Sequence, residues 1–185
     1  MTALSIRQAD SPPEQAEAGR ENAALADFEE CYAANFHKIT IQLAAYLGSL
    51  AEAQDVTQEA FARALPRWER LTGYADPGAW VRHVAWNLAK TRQRRQQRLA
   101  LFLRRQQQEE VAGPEPDRVA LIRALSKLPE RQRRAFVLHY LADLSIAQIA
   151  DQEGTPEGTV KSWLHRARTA MAAHLTGAAE EGRDV

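Results

Sequence analysis

A chain of 185 residues, 45% of them apolar, has room for one or two small domains with buried cores. Nothing in it approaches the roughly 20 consecutive apolar residues of a membrane span, and the N-terminus lacks the basic-then-apolar order of a secretory signal, so a soluble, cytoplasmic protein is expected. Its single cysteine, Cys31, excludes an internal disulfide, and its charges balance at 24 basic against 24 acidic residues, which at first argues against a nucleic-acid partner.

Residues 1–25 are polar, carry two prolines and show no sustained period; they are predicted to be disordered. From Asp27 onward, Phe28, Tyr32, Phe36, Ile39, Leu43 and Leu47 recur at helical spacing, with a stop near Gly48. Cys31 falls within that pattern and reads as a small core or boundary side chain, a redox role being the lesser alternative. A second amphipathic run starts near Glu52 and is predicted to stop or kink at Pro66. Val56, Ala60, Phe61 and Ala64 form its apolar side, leaving Glu52, Asp55, Gln58 and Glu59 outward as an acidic surface. Glu59 and Arg63 stand four apart, as a helical ion pair requires.

After the loop "LTGYADPG" a third helix places Val81, Val84, Ala85 and Leu88 on one side. Opposite them lie Arg82, His83, Trp86, Asn87, Lys90 and Arg94. A tryptophan among cations suits stacking against an unpaired base; packing against another helix is a nearly equal alternative. Seven cations and no acid fall between Lys90 and Arg105. Residues 26–89 hold five cations and eight acids, so charge is segregated along the chain. Like charges without a local counter-ion repel one another and are relieved by a polyanion, whereas a merely solvated face is the plainer reading. The stretch "RRQQQEEVAGPEPD" then reads as a linker over 104–116, able to extend about 43 Å.

Leu128, Pro129 and Glu130 open a further helix, Pro being tolerated in a first turn where its missing N–H is not needed. Ser145 and Gln148 form a capping-box pattern ahead of Ile146, Ile149 and Ala150, and Gly154 supplies a left-handed stop. Thr155, Pro156 and Glu157 begin another helix at once, which is helix-turn-helix grammar. Along that helix Val160, Leu164, Ala167 and Met171 share one side; Lys161, Ser162, His165, Arg168 and Thr169 form an opposite stripe, basic and free of acids. Such a face fits a major groove. Trp163 sits at the margin of the apolar side and reads as core.

The segment "LSKLPERQRRAFVLHYLADLSIAQIADQEGTPEGTVKSWLHRAR" resembles the minus-thirty-five-reading domain of bacterial sigma factors, while "DVTQEAFARAL" and "AWVRHVAWNLAKTRQRR" resemble their second domain. Two such modules without intervening domains match the extracytoplasmic-function (ECF) subfamily of the sigma-70 family. The resemblance implies an all-α fold of two small helical domains, 26–103 and 117–175, joined by a flexible linker, with a disordered tail over 176–185. It implies core RNA polymerase as partner, its β′ coiled coil meeting Glu52, Asp55, Gln58 and Glu59. Tyr74, Asp76, Arg82, Trp86, Asn87, Lys90 and Arg94 become candidates for reading and melting the minus-ten element. Thr159, Lys161, Ser162, His165, Arg166 and Arg168 become candidates for the minus-thirty-five duplex. An anti-sigma factor is a further partner of the family; no cofactor and no metal are implied.

Two other classes compete with that expectation. A stand-alone helix-turn-helix regulator would need a dimerisation or ligand module, for which no sensor-like strand pattern is visible. An enzyme is disfavoured: there is no Gly-rich phosphate loop and no His/Cys metal spacing, and His37, His83, His139, His165 and His174 share no site that the sequence identifies.

Overall fold

The computed structural model describes residues 13–103 and 116–181, and among these only helices and their connecting turns occur. Helix α1 (Pro13–Leu47) is followed by α2 (Leu50–Ala64), a 3-10 turn (Leu65–Arg67), α3 (Trp68–Leu71) and α4 (Pro77–Leu103). A second group comprises α5 (Pro116–Ser126), α6 (Glu130–Tyr140), α7 (Ile146–Glu153) and α8 (Glu157–Glu181). The all-α expectation therefore holds. Most of the linker expected at 104–116 lies outside the described residues.

The first group is organised by aromatic residues spaced one helical turn apart on α1. Phe28 meets Trp68 edge-on at 5.0 Å, and Tyr32 lies 4.8 Å from both Phe36 and Phe61. Such pairs add to the burial of their large apolar area. Gly48 ends α1 at φ +80°, a left-handed conformation that costs a glycine little, and its N–H donates to the Ala44 carbonyl. Ser49 then caps α2, its Oγ accepting from the Glu52 N–H. The buried side of α2 includes, besides the expected apolar residues, Thr57, whose hydroxyl donates to the Ala53 carbonyl and meets Thr40 at 3.2 Å. Pro66 falls in the 3-10 turn that separates α2 from α3, as its missing N–H requires.

Two boundaries differ from the sequence expectation. Helix α1 begins at Pro13, so 13–25 are helical where disorder is expected; only 1–12 lie outside the described residues. The segment is rich in Ala and Glu, strong helix formers, and Pro13 is tolerated in a first turn. Likewise α8 runs to Glu181, through most of the expected disordered tail: it continues past Gly177, and the Ala and Glu residues that follow are strong helix formers. Residues 182–185 lie outside the described residues.

In the second group, the turn after α6 places Asp143 at φ +54°, a conformation Asp tolerates better than most side chains. Ser145 and Gln148 form the reciprocal capping box, and Gly154 takes φ +60°. Helix α8 starts at Glu157, immediately after Pro156, whose carbonyl accepts from the Thr159 and Val160 N–H groups. Val160, Leu164, Ala167 and Met171 are all buried, as their spacing predicts.

The two groups are not separate bodies in this structure: α1 packs against both α5 and α6. Gln42 donates to the Leu141 carbonyl, and the Tyr46 hydroxyl donates to Glu130 Oε1 at 2.9 Å.

Candidate nucleic-acid interface

Helix α8 presents the face expected of it. Lys161, His165, Arg166, Arg168 and Thr169 are exposed, while Thr159 and Ser162 are partly covered at the margin. The helix is held by its apolar side against α5, α6 and α7, so its polar face points away from the core. Arg166 donates to the Ser162 hydroxyl at 2.8 Å, which orders the guanidinium along the helix. One correction concerns the stripe described as free of acids. Glu157, one turn earlier, reaches Lys161 at 3.6 Å, with both side chains more than half exposed. A pair so open to water holds the lysine only weakly and yields to a phosphate. Trp163 is half-buried against the core, and Arg131 of α6 lies over its ring at 5.9 Å. Arg131 extends the basic surface beyond α8 and was not singled out from sequence; the cationic run "ERQRR" is the signal that carries it.

Helix α4 differs from expectation at its centre. Trp86 is only 1% exposed, its ring 5.2 Å from that of Tyr46. The buried side of α4 runs through Val81, Ala85, Trp86 and Ala89, with Val84 and Leu88 only partly covered. Trp86 thus packs, correcting its placement among outward base-stacking residues. The physical reason is area: an indole adjoining the apolar stripe gains more from α1 than from water. Its Nε1–H is buried and has no hydrogen-bond partner.

His83, Asn87 and Arg94 are exposed and Arg82 is partly so. Their neighbours have counter-ions that the linear sequence hides. Arg92 meets Asp55 of α2 at 3.5 Å, Gln96 bonds Glu52, and Lys90 meets Glu153 of α7 at 3.7 Å. The run of cations without an acid is therefore relieved partly within the molecule; Arg104 and Arg105 lie outside the described residues. In the preceding loop Tyr74 is 59% exposed, available for contact. Asp76 is exposed, but its Oδ1 accepts from the Ala79 N–H at 2.9 Å, which makes it the cap of α4.

On α2, Asp55, Gln58 and Glu59 are exposed and Glu52 partly so. Glu59 is paired with Arg63 and Asp55 with Arg92, leaving Gln58 and the outer carboxylate edges as the open acidic surface. Among the described residues no group of three or more His, Cys, Asp or Glu is placed to hold a metal ion.

Sequence reasoning missed a set of side chains where the two groups meet. Tyr46 is fully buried, with Trp86 on one face and the Arg133 guanidinium 5.3 Å from its ring centroid. Burial, and secondarily the Glu130 charge, raises the Tyr46 hydroxyl well above its ordinary pKa, so it remains a donor. Burial also lowers the pKa of Arg133. Arg134 bridges Glu130 and Glu153, joining α6 to the end of α7. Helical periodicity marks Tyr46 as an inward residue but carries no information about which helix lies beyond it.

Comparison with known proteins follows the same division. Residues 32–99 match the family model for sigma-70 region 2, and residues 118–171 match that for sigma-70 region 4. The chain is 29% identical over 174 residues to the ECF RNA polymerase sigma factor SigW of Bacillus subtilis, covering 82% of this chain and 89% of that one. It is 35% identical over 133 residues to the ECF RNA polymerase sigma factor SigL of Mycobacterium tuberculosis, covering 67% and 75%. Among solved structures, the sigma factor RpoE of Bartonella quintana, in complex with the anti-sigma factor NepR, superposes with a TM-score of 0.71 at 20% identity, over 81% of this chain and 97% of that one. CnrH, in complex with the cytosolic domain of CnrY, gives a TM-score of 0.58 at 24% identity, over 89% and 94%.

Proposed function

Since the chain belongs to the sigma-70 family, in its ECF branch, we propose that it divides promoter recognition between α8 and α4 while α2 docks it to core RNA polymerase. The single observation that carries this reading is the exposed basic face of α8, mounted on a helix whose other side is buried in the second group. Lys161, Arg166 and Arg168 meet phosphates and base edges of the minus-thirty-five duplex, with Thr159, Ser162 and His165 completing the contact surface. In the minus-ten region Arg82, Lys90 and Arg94 attract the strand, and Tyr74 and Asn87 contact bases as they unstack. Asp76 acts by holding the first turn of α4 and the loop before it.

The acidic edge of α2, Glu52, Asp55, Gln58 and Glu59, faces the β′ coiled coil of polymerase. Acids repel DNA and complement a basic protein surface, so docking and promoter contact use opposite charges on adjacent helices. The chain itself catalyses nothing: stabilising unstacked bases offsets the loss of duplex, and polymerase makes the phosphodiester bond. It works in the cytoplasm with polymerase, and an anti-sigma factor is its regulatory partner. No helix among the described residues is long and apolar enough to cross a membrane.

The test is reconstitution with core polymerase followed by mapping of transcript starts on genomic DNA. A shared pair of upstream elements about 50 Å apart along the duplex is the expected result. Tight duplex binding without polymerase, and no directed starts with it, would make the chain a stand-alone regulator.

A further inference from the structure

Three arginines fall within the first turn and a half of α6, and two of them are engaged inside the molecule. Arg134 bridges Glu130 and Glu153, and Arg133 is buried with its guanidinium against the Tyr46 ring. Arg131 is different. It is exposed, and among the described residues no carboxylate pairs with it. Its guanidinium lies instead over the face of Trp163 on α8, 5.9 Å from the ring centroid, within the roughly 6 Å reach of a cation–π contact.

The place of Trp163 on α8 gives that contact a direction. At roughly 100° per residue, the outward face through Ser162 and Thr169 has two flanks. Lys161 and Arg168 form one; Arg166 and Thr159 form the other, with Trp163 just beyond them, half-buried against the core. The indole therefore carries a guanidinium from α6 to the flank that faces away from Lys161 and Arg168. A major groove is about 12 Å wide and a helix with its side chains about 10–12 Å across, so a helix lying in the groove turns one flank to each phosphate strand. Stacking on a ring engages the face of a guanidinium and leaves its in-plane N–H groups free to donate to a phosphate. A side chain already held on the indole also loses less freedom when it binds.

We propose that Arg131 contacts a phosphate of the strand opposite the one met by Lys161 and Arg168, and that Trp163 is the positioning residue that holds it there. The proposal rests on the reading of α8 as the duplex-contacting helix. Contact then straddles the groove from two helices, α8 within it and the start of α6 on its rim. Phosphate contacts fix the orientation of a recognition helix without carrying base information, so Arg131 sets how α8 is tilted toward the base edges, and Trp163 acts only through Arg131.

The full chain assembled with core polymerase, and a duplex that this assembly enriches from a randomised pool, provide the test, with binding followed as salt rises. Arg131→Gln, a change at an exposed position, should make the plot of log affinity against log salt shallower by about 0.9, the loss of one neutralised phosphate. Trp163→Leu keeps an apolar side chain against the core and should weaken binding about two- to fivefold; Trp163→Tyr, which restores a ring, should recover most of that loss. In the Arg131→Gln background, Trp163→Leu should lower duplex affinity no further, an outcome that a merely structural tryptophan would not give. Methylphosphonate at single positions removes the charge of one phosphate at a time. One such position, on the strand opposite those sensed by Lys161→Gln, should weaken the parent and leave Arg131→Gln unaffected. An unchanged salt slope for Arg131→Gln, or additive losses in the double variant, overturns the proposal when Lys161→Glu with Arg166→Glu still abolishes duplex binding. If that reversal is also without effect, or no duplex is enriched, the reading of α8 falls and this contact with it.

Discussion

Helices α4 and α8 both carry basic residues beside tryptophan, yet the fold treats them in opposite ways. On α8 the apolar side goes inward and the cations go outward, held only by exposed pairs such as Lys161 with Glu157. On α4 the tryptophan goes inward as well, and cations on the same helix are tied to Asp55 and Glu153. The difference teaches that the face proposed to read duplex is preformed, whereas the face proposed to bind the strand is partly consumed by internal contacts. That division suits the order of events at a promoter, since duplex is met first and single strands exist only after opening.

The sharpest way to break the comparison is to reverse the open face. Lys161→Glu with Arg166→Glu should lower promoter-directed transcription about a thousandfold, since each lost contact is worth about 1–3 kcal/mol and reversal adds repulsion. Polymerase should still co-purify with the variant; normal run-off transcription would remove α8 from the interface. On the other helix, Trp86→Ala should destabilise the chain by about 3 kcal/mol or more in denaturant titration, because it empties a buried indole site. Tyr74→Ala, at an exposed position, should leave the denaturation midpoint within about 0.5 kcal/mol of the parent and weaken only minus-ten strand binding. Equal stability losses at the two positions would erase the contrast between buried and open aromatics.

Asp55→Arg with Glu59→Arg should weaken association with core polymerase by about tenfold or more, read by competition against the parent chain. Retained affinity would place the docking surface elsewhere. The smallest expected effect is Ser145→Ala, about 1 kcal/mol of stability from loss of the capping box ahead of α7. Because the cap stabilises α7 and lies outside the face proposed to contact DNA, transcription at low temperature should be nearly unchanged.

What was legible in the sequence is whatever depends on neighbours within a turn or two of the chain. The capping box at Ser145, the left-handed Gly154, the buried stripe of α8, the stop at Gly48 and the Glu59–Arg63 pair follow from local geometry, which has a fixed period and a small set of terminal residues. The family was legible by another route, the resemblance of two segments, in that order, to the second and the minus-thirty-five-reading domains of sigma factors. Only the tertiary structure decided the direction in which Trp86 faces, the counter-ions of Lys90 and Arg92, and the clamp of Tyr46 between Trp86 and Arg133. Those outcomes depend on residues 37 to 87 positions apart, and periodicity along a helix states which side is apolar without stating what lies against it.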